Sequence, residues 1–294
     1  MSSGLLDTLG ASLAPLLSPA GLALIGLLIG SFLNVVIHRL PLMLESRWKS
    51  ESAELLGQDA PADPHAGLGL WAPRSRCPHC GHVITWHENM PVISWLLLRG
   101  RCSACKAPIS WRYPLVEISC ALLFAGLSLH FGAQPSTLLW CGFGATLLAL
   151  ALIDWDTTLL PDDLTQPLLW AGLLAAMLGW SGLPLTQALW GAIAGYLSLW
   201  SVTALFKLAT GKVGMGAGDF KLLAALGAWL GVTMILPIIL AASLIGAVVG
   251  IAMKVTGQLR EGRYVPFGPF LAGAGLAMLL AGQERVMDWL GWYF

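Results

Sequence analysis

The sequence predicts an all-α polytopic membrane protein of about eight transmembrane helices, with one long polar loop domain between helices 1 and 2. Three observations carry that fold class. Only 11% of the 294 residues are charged and 56% are hydrophobic, whereas an ordinary soluble domain has about 25% charged residues. Apolar runs recur at 21–38, 115–132, 136–153, 167–182, 188–206, 220–253 and 266–282, each close to or above the ~17–25 residues that a spanning helix needs. Positive charge is segregated, with nine of the sixteen Lys and Arg residues between Arg39 and Arg112.

The first run, 21–38, has no Lys or Arg before it, and Arg39 is the first positive residue of the chain. It reads as a retained span (residues 1–38) and not as a targeting segment. Placing the positive loop inside puts the N-terminus outside. Counting crossings from there sets Lys207, Lys212, Lys221, Lys254, Arg260 and Arg263 on the same inner side, provided that 220–253 forms two short spans. The parity requires eight helices and leaves only Arg285 outside.

The loop, residues 39–114, comes next. Its first part, 43–70, is weakly patterned and reads as a variable or mobile connection. Its second part carries Cys77, Cys80, Cys102 and Cys105 in two Cys-x-x-Cys knuckles separated by 21 residues. Two such pairs close a tetrahedral thiolate shell around structural zinc, and a small loop without a core gains most of its fold from such a shell. Two disulfides or a redox pair are the other readings of that spacing in an oxidising compartment. His79, His82 and His87 lie near enough to replace a cysteine but read as surface residues, and Cys120 and Cys141 read as small buried residues inside spans.

The remaining seven helices, residues 115–294, hold few carboxylates, and a carboxylate at membrane depth is costly enough to suggest function. Asp154 ends the third span, and Asp156, Asp162 and Asp163 follow it. On a continuing helix Asp154 and Asp156 differ by about 200° and face different ways. Asp219 opens the sixth span on the same side, preceded by Gly216 and Gly218, which permit close approach of another backbone. Two aspartates from two helices at one depth suit peptide hydrolysis, one activating water while the other, protonated, polarises the carbonyl. The alternatives are an N-capping role for Asp219, as expected of Asp162 or Asp163 for the fourth span, and a head-group-reaching helix end for Asp154. Other protease patterns fail. GWSG at 179–182 has no histidine after it, and His87-Glu88 is followed by Asn-Met-Pro, which breaks HExxH.

Together, GSFLNVVIHRLP (30–41), the paired Cys-x-x-Cys, ISWRYPLVE (109–117), DWDTTLLPD (154–162) and GAGD (216–219) resemble the type IV prepilin peptidases over nearly the whole chain. These are bacterial inner-membrane aspartic proteases of the GxGD class. The resemblance implies catalytic roles for Asp154 and Asp219. It implies cleavage of the basic leader of type IV prepilins and type II secretion pseudopilins at the cytoplasmic face. It also implies N-methylation of the new terminus from S-adenosylmethionine, since the long cysteine-bearing loop marks the bifunctional members. Asn34, His38, Arg39, Arg112 and Glu117 belong to the matching stretches, where anchoring and binding explain them equally. The expected partners are prepilins, pseudopilins and the lipid bilayer, with no nucleic acid.

Residues 113–206 contain no Lys or Arg. The acidic loop with Asp156, Asp162 and Asp163 is therefore expected to attract the basic leader toward the catalytic pair, beside Gly216 and Gly218. The rival readings are a proton-coupled transporter, whose acids belong nearer the midplane, and a zinc-stabilised secretion-assembly scaffold.

Overall fold

The computed structural model describes residues 14–59, 62–257 and 265–291. Arg260 and Arg263, assigned above to the inner side, lie outside these. The described chain is helical, with α1 Pro19–Leu55, α2 Ile93–Leu97, α3 Arg112–Phe131, α4 Thr137–Thr157 and α5 Asp162–Met177. It continues with α6 Leu185–Thr210, α7 Ala217–Leu230, α8 Ile235–Val255, α9 Gly268–Ala281 and α10 Gln283–Leu290.

Among the described residues, five segments are long and apolar enough to cross a membrane: α1, α3, α4, α6 and Val232–Val255, which includes α8. Helices α5, α7 and α9 have 16, 14 and 14 residues, or about 21–24 Å at 1.5 Å per residue. A hydrocarbon core is about 30 Å thick, so the expected total of eight depends on counting these three short helices as spans. The run 220–253 does divide. Gly231, at φ +86°, ends α7, and a short turn at Val232–Met234 leads into α8.

The chain forms two compact units, Met1–Ala145 and Thr146–Phe294. Their boundary falls inside α4, whereas composition alone places a break at residue 114. In the first unit α1 packs on α3 through Gly26 and Gly30, where an added Cβ would come within 2.7 Å of the Cα atoms of Ala121 and Glu117 respectively. This spacing of small residues lets two backbones touch. The connection expected to be mobile at 43–70 is helical as far as Leu55. Leu44 and Ala53 are buried there, Lys49 pairs with Glu45 one turn away at 2.7 Å, and the segment is rich in good helix formers.

In the second unit α7 is buried on nearly every side, from Asp219 and Phe220 through Leu222–Leu230. A helix that is apolar all round belongs at the centre. Its neighbours reach it through glycine. Gly191 of α6 lies backbone to backbone against Gly227, and a Cβ on Gly195 would come 2.5 Å from the Leu223 carbonyl oxygen. On the α5 side, Trp229 Nε1 donates to the Leu168 carbonyl at 2.8 Å. These contacts fix the helix that carries Asp219.

Candidate active site and metal centre

Asp154 sits in the last turn of α4 and is 4% exposed, and Asp219 sits in the first turn of α7 and is 9% exposed. Gly218, just before Asp219, and Gly268, which holds Asp154, both lie against Leu160, so the two carboxyls flank one site. Asp219 is not the cap of its helix, since Gly216 holds that position. Its Oδ1 is buried and has no hydrogen-bond partner. A buried carboxyl oxygen left unsatisfied marks a place for water or a ligand.

A third element completes the site. The backbone N–H of Gly268, at the start of α9, donates to Asp154 Oδ2 at 2.9 Å. A Cβ at position 268 would lie 2.5 Å from that oxygen. The sequence reading missed Gly268 because it contributes no side chain, and only the Gly268-Pro269 helix start hints at it. Free N–H groups at a helix N-terminus favour an anion.

The two glycines of GAGD serve different ends. A Cβ on Gly218 would strike Leu160 Cβ at 2.7 Å, whereas one on Gly216 would meet only Asp219 Oδ2, at 3.9 Å. Gly218 therefore serves packing, and Gly216 leaves the approach to Asp219 open. Asp156 is exposed one turn-face away from buried Asp154, as the helical angle requires. Asp162 and Asp163 are exposed in the first turn of α5, where Pro161 holds the N-cap position and neither aspartate caps the helix. Lys221 Nζ reaches both oxygens of Asp162 at 2.7 Å, so a positive charge two residues from Asp219 already compensates part of the acidic loop.

The four cysteines form one cluster, with all Sγ atoms within 4.8 Å of one another and none in a disulfide. Cys77 and Cys105 Sγ are 3.8 Å apart, and a zinc tetrahedron with bonds of about 2.3 Å requires sulfurs about 3.8 Å apart. The knuckles repeat each other. Cys77 N–H donates to the His82 carbonyl at 2.9 Å and Cys102 N–H to the Ala107 carbonyl at 2.8 Å. Gly81 at φ +71° and Lys106 at φ +61° turn the chain after each pair. Backbone N–H groups of Cys80 and His79 hold the Cys77 thiol down to about 7, favouring the thiolate that binds metal. His82 does not replace a cysteine. Its Nε2 meets both oxygens of Glu88 at 3.1–3.2 Å and Ser103 Oγ at 3.3 Å. Glu88 also accepts from Thr85 N–H and Oγ1. Hydrogen bonds from Ser103 and Thr85 hold its carboxyl far below the usual carboxylate range.

Two residues of the GSFLNVVIHRLP stretch act as anchors. Asn34 Nδ2 donates to the Tyr113 carbonyl at 3.1 Å, and buried Arg39 donates to the Gly69 carbonyl at 2.8 Å. Phe32 stacks on Trp71 at 5.0 Å.

Comparison with known proteins gives a consistent picture. Residues 24–131 match the model of the bacterial peptidase A24 N-terminal domain, and residues 141–251 match that of the type IV leader peptidase family. The chain is 53% identical to a prepilin leader peptidase/N-methyltransferase of Stutzerimonas stutzeri over 90% of this chain and 91% of that protein. It is 52% identical to one of Pseudomonas aeruginosa over 91% of each, and 51% identical to one of Aeromonas hydrophila over 89% and 90%. No solved structure matches the chain.

Proposed function

The chain belongs to the type IV leader peptidase family, and on that premise we propose that it removes the leader of prepilins and N-methylates the terminus exposed by the cut. The observation that carries the first activity is the buried pair Asp154 and Asp219, with an orphaned oxygen on Asp219 and a backbone donor on Asp154. A donor favours charge on the carboxylate that accepts it, so Asp154 is assigned the anionic role. Asp154 takes a proton from water, whose oxygen attacks the scissile carbonyl carbon, while protonated Asp219 donates to the carbonyl oxygen. Collapse of the tetrahedral intermediate breaks the C–N bond, the proton held by Asp154 passes to the leaving amine, and one gem-diol hydroxyl returns its proton to Asp219 as the new carboxyl forms. The two groups titrate as one coupled unit.

In this reading α1 and α3–α9 provide the eight crossings, with the short α7 and α9 held among their neighbours. The N-terminus faces outward, while residues 39–114 and both active centres face the cytoplasm of a bacterial inner membrane. Substrates are type IV prepilins and type II pseudopilins, whose basic leaders meet Asp156, Asp162 and Asp163. Gly216 leaves room for the unwound substrate backbone, and Gly218 keeps Leu160 in place beneath it.

Residues 39–114 carry the methyl transfer, and Cys77, Cys80, Cys102 and Cys105 hold structural zinc there. A cleft of about 260 Å³ in this loop is lined by Arg74, Ser75, Ile84, Thr85, Trp86 and Asn89. The methyl donor that this activity requires is S-adenosylmethionine, a molecule larger than this open cleft. When bound, that donor supplies an electrophilic methyl group to the new amine.

The test is to incubate purified protein with a full-length prepilin and S-adenosylmethionine and to weigh the products. Leader loss followed by a methyl mass gain is expected. An uncut prepilin in the presence of folded, zinc-loaded protein would sink the proposal.

A further inference from the structure

The cysteine-bearing loop does not simply stand above the helix ends. Val92 N–H donates to Glu117 Oε2 at 2.7 Å. Glu117 is 7% exposed and lies in the second turn of α3, about 8 Å along its axis at 1.5 Å per residue. Because α3 is a candidate span, the chain at 91–93 descends beside it.

The backbone there is unusual. Val92 has φ +60° and ψ −48°, a conformation rare for a β-branched residue. Ile93 N–H donates back to the Pro91 carbonyl at 2.5 Å, which makes a tight γ-turn of the strained, positive-φ kind. Such turns persist where surrounding contacts over-determine them, and here the buried carboxylate holds the central N–H.

The turn delivers α2, whose Ile93, Leu96 and Leu97 are 53%, 61% and 74% exposed. At i, i+3 and i+4 they form one face. Trp95 turns the other way. Its Nε1 donates to the Ile109 carbonyl at 3.2 Å and its ring lies where a side chain on Gly100 would be. Residues 90–98 carry no charge, and Arg99 and Arg101 follow at once.

We propose that 90–98 is an interfacial anchor, with the Ile93, Leu96 and Leu97 face of α2 lying in the lipid head-group and acyl boundary, and with Glu117 as its positioning residue. Lipid is favoured over a protein partner by continuity with α3. That helix exposes Trp111 and Tyr113 at its start and Leu115, Ile118 and Leu122 along its length. Aromatic residues at a span's end mark the membrane interface. An apolar face with basic flanks is the composition that settles there. The inference needs only that α3 spans a membrane and does not depend on the peptidase reading.

The experiment uses the full chain in lipid nanodiscs. A genetically encoded, environment-sensitive fluorescent residue replaces Leu97, and in a parallel sample it replaces Leu56, an exposed residue just beyond α1. Lipids brominated on the acyl chain should quench the probe at 97 several-fold more than the probe at 56, and aqueous iodide should do the reverse. Iodide quenching of both alike would overturn the proposal in favour of a solvent-facing helix. Shielding at 97 from both quenchers would overturn it in favour of a protein covering. Glu117→Ala, with zinc content unchanged, should lower lipid quenching at 97, and Glu117→Gln should restore part of it. Undiminished quenching in the alanine variant would remove Glu117 from the positioning role.

Discussion

The two reactive clusters of this molecule are built on opposite plans. The four thiols lie in the loop, with Cys80 and Cys105 exposed. They are brought together by two short knuckles whose contacts span only a few residues within each. The two carboxylates are buried, stand 65 residues apart in sequence (219 minus 154), and depend on Gly268 from a third helix 114 residues from Asp154. The thiol cluster is local geometry, to whose stability a structural metal ion would contribute most. The carboxylate site draws its geometry from packed helices. Each should therefore fail without the other.

The sharpest way to break that comparison is to remove either carboxylate. Asp154→Asn and Asp219→Asn should each lower prepilin cleavage by about 10²–10⁴-fold, with zinc content by atomic absorption unchanged. Next, Cys77→Ser combined with Cys80→Ser should abolish zinc binding and methylation and open residues 62–110 to limited proteolysis, while a cut by the intact dyad persists. Joint loss of both activities would show that the two plans are coupled. Gly268→Ala places a methyl against Asp154 and should cost up to about 10²-fold in kcat, as a misplacement of about 1 Å of a reacting group does.

Smaller effects sharpen the contrast. Replacing Asp156, Asp162 and Asp163 together by asparagine should raise KM several-fold with little change in kcat and flatten the salt dependence of cleavage. Losing the exposed pair of Asp162 with Lys221 should cost no more than about 1 kcal/mol of stability. The smallest change is Lys106→Gly. It relieves a left-handed residue at the turn where the other knuckle has Gly81, and should slow zinc loss to a chelator modestly.

How much was legible in the sequence follows the same division. Cysteine spacing is local, so the cluster could be read directly from two Cys-x-x-Cys pairs. The aspartates stood out because a charge in an apolar run is conspicuous, and their pairing was proposed from the crossing count that sets both on one side, with the match of DWDTTLLPD and GAGD to a family adding to it. Gly268 did not, since a backbone N–H leaves no mark on composition. The helical stretch beyond residue 43 was missed because its apolar residues are sparse and its burial rests on Leu44 and Ala53 alone. The acidic loop was visible as charge, but its compensation by Lys221 depends on how α5 and α7 lie together. Helix number suffered for another reason, since apolar length alone does not separate a 14-residue helix held by neighbours from a full crossing.

That short helix has a consequence of its own. With 14 residues, α7 is about 21 Å long, some 9 Å less than the hydrocarbon it is assigned to cross. Because α7 is enclosed by other helices, thinning of the surrounding lipid does not make up that deficit, and water entering above the short end does. Asp219 lies at the end of α7 where that deficit can be met. The membrane's own dimensions would then draw solvent down to the carboxylates, so that a protease set within an oil layer receives its second substrate, water, without any channel.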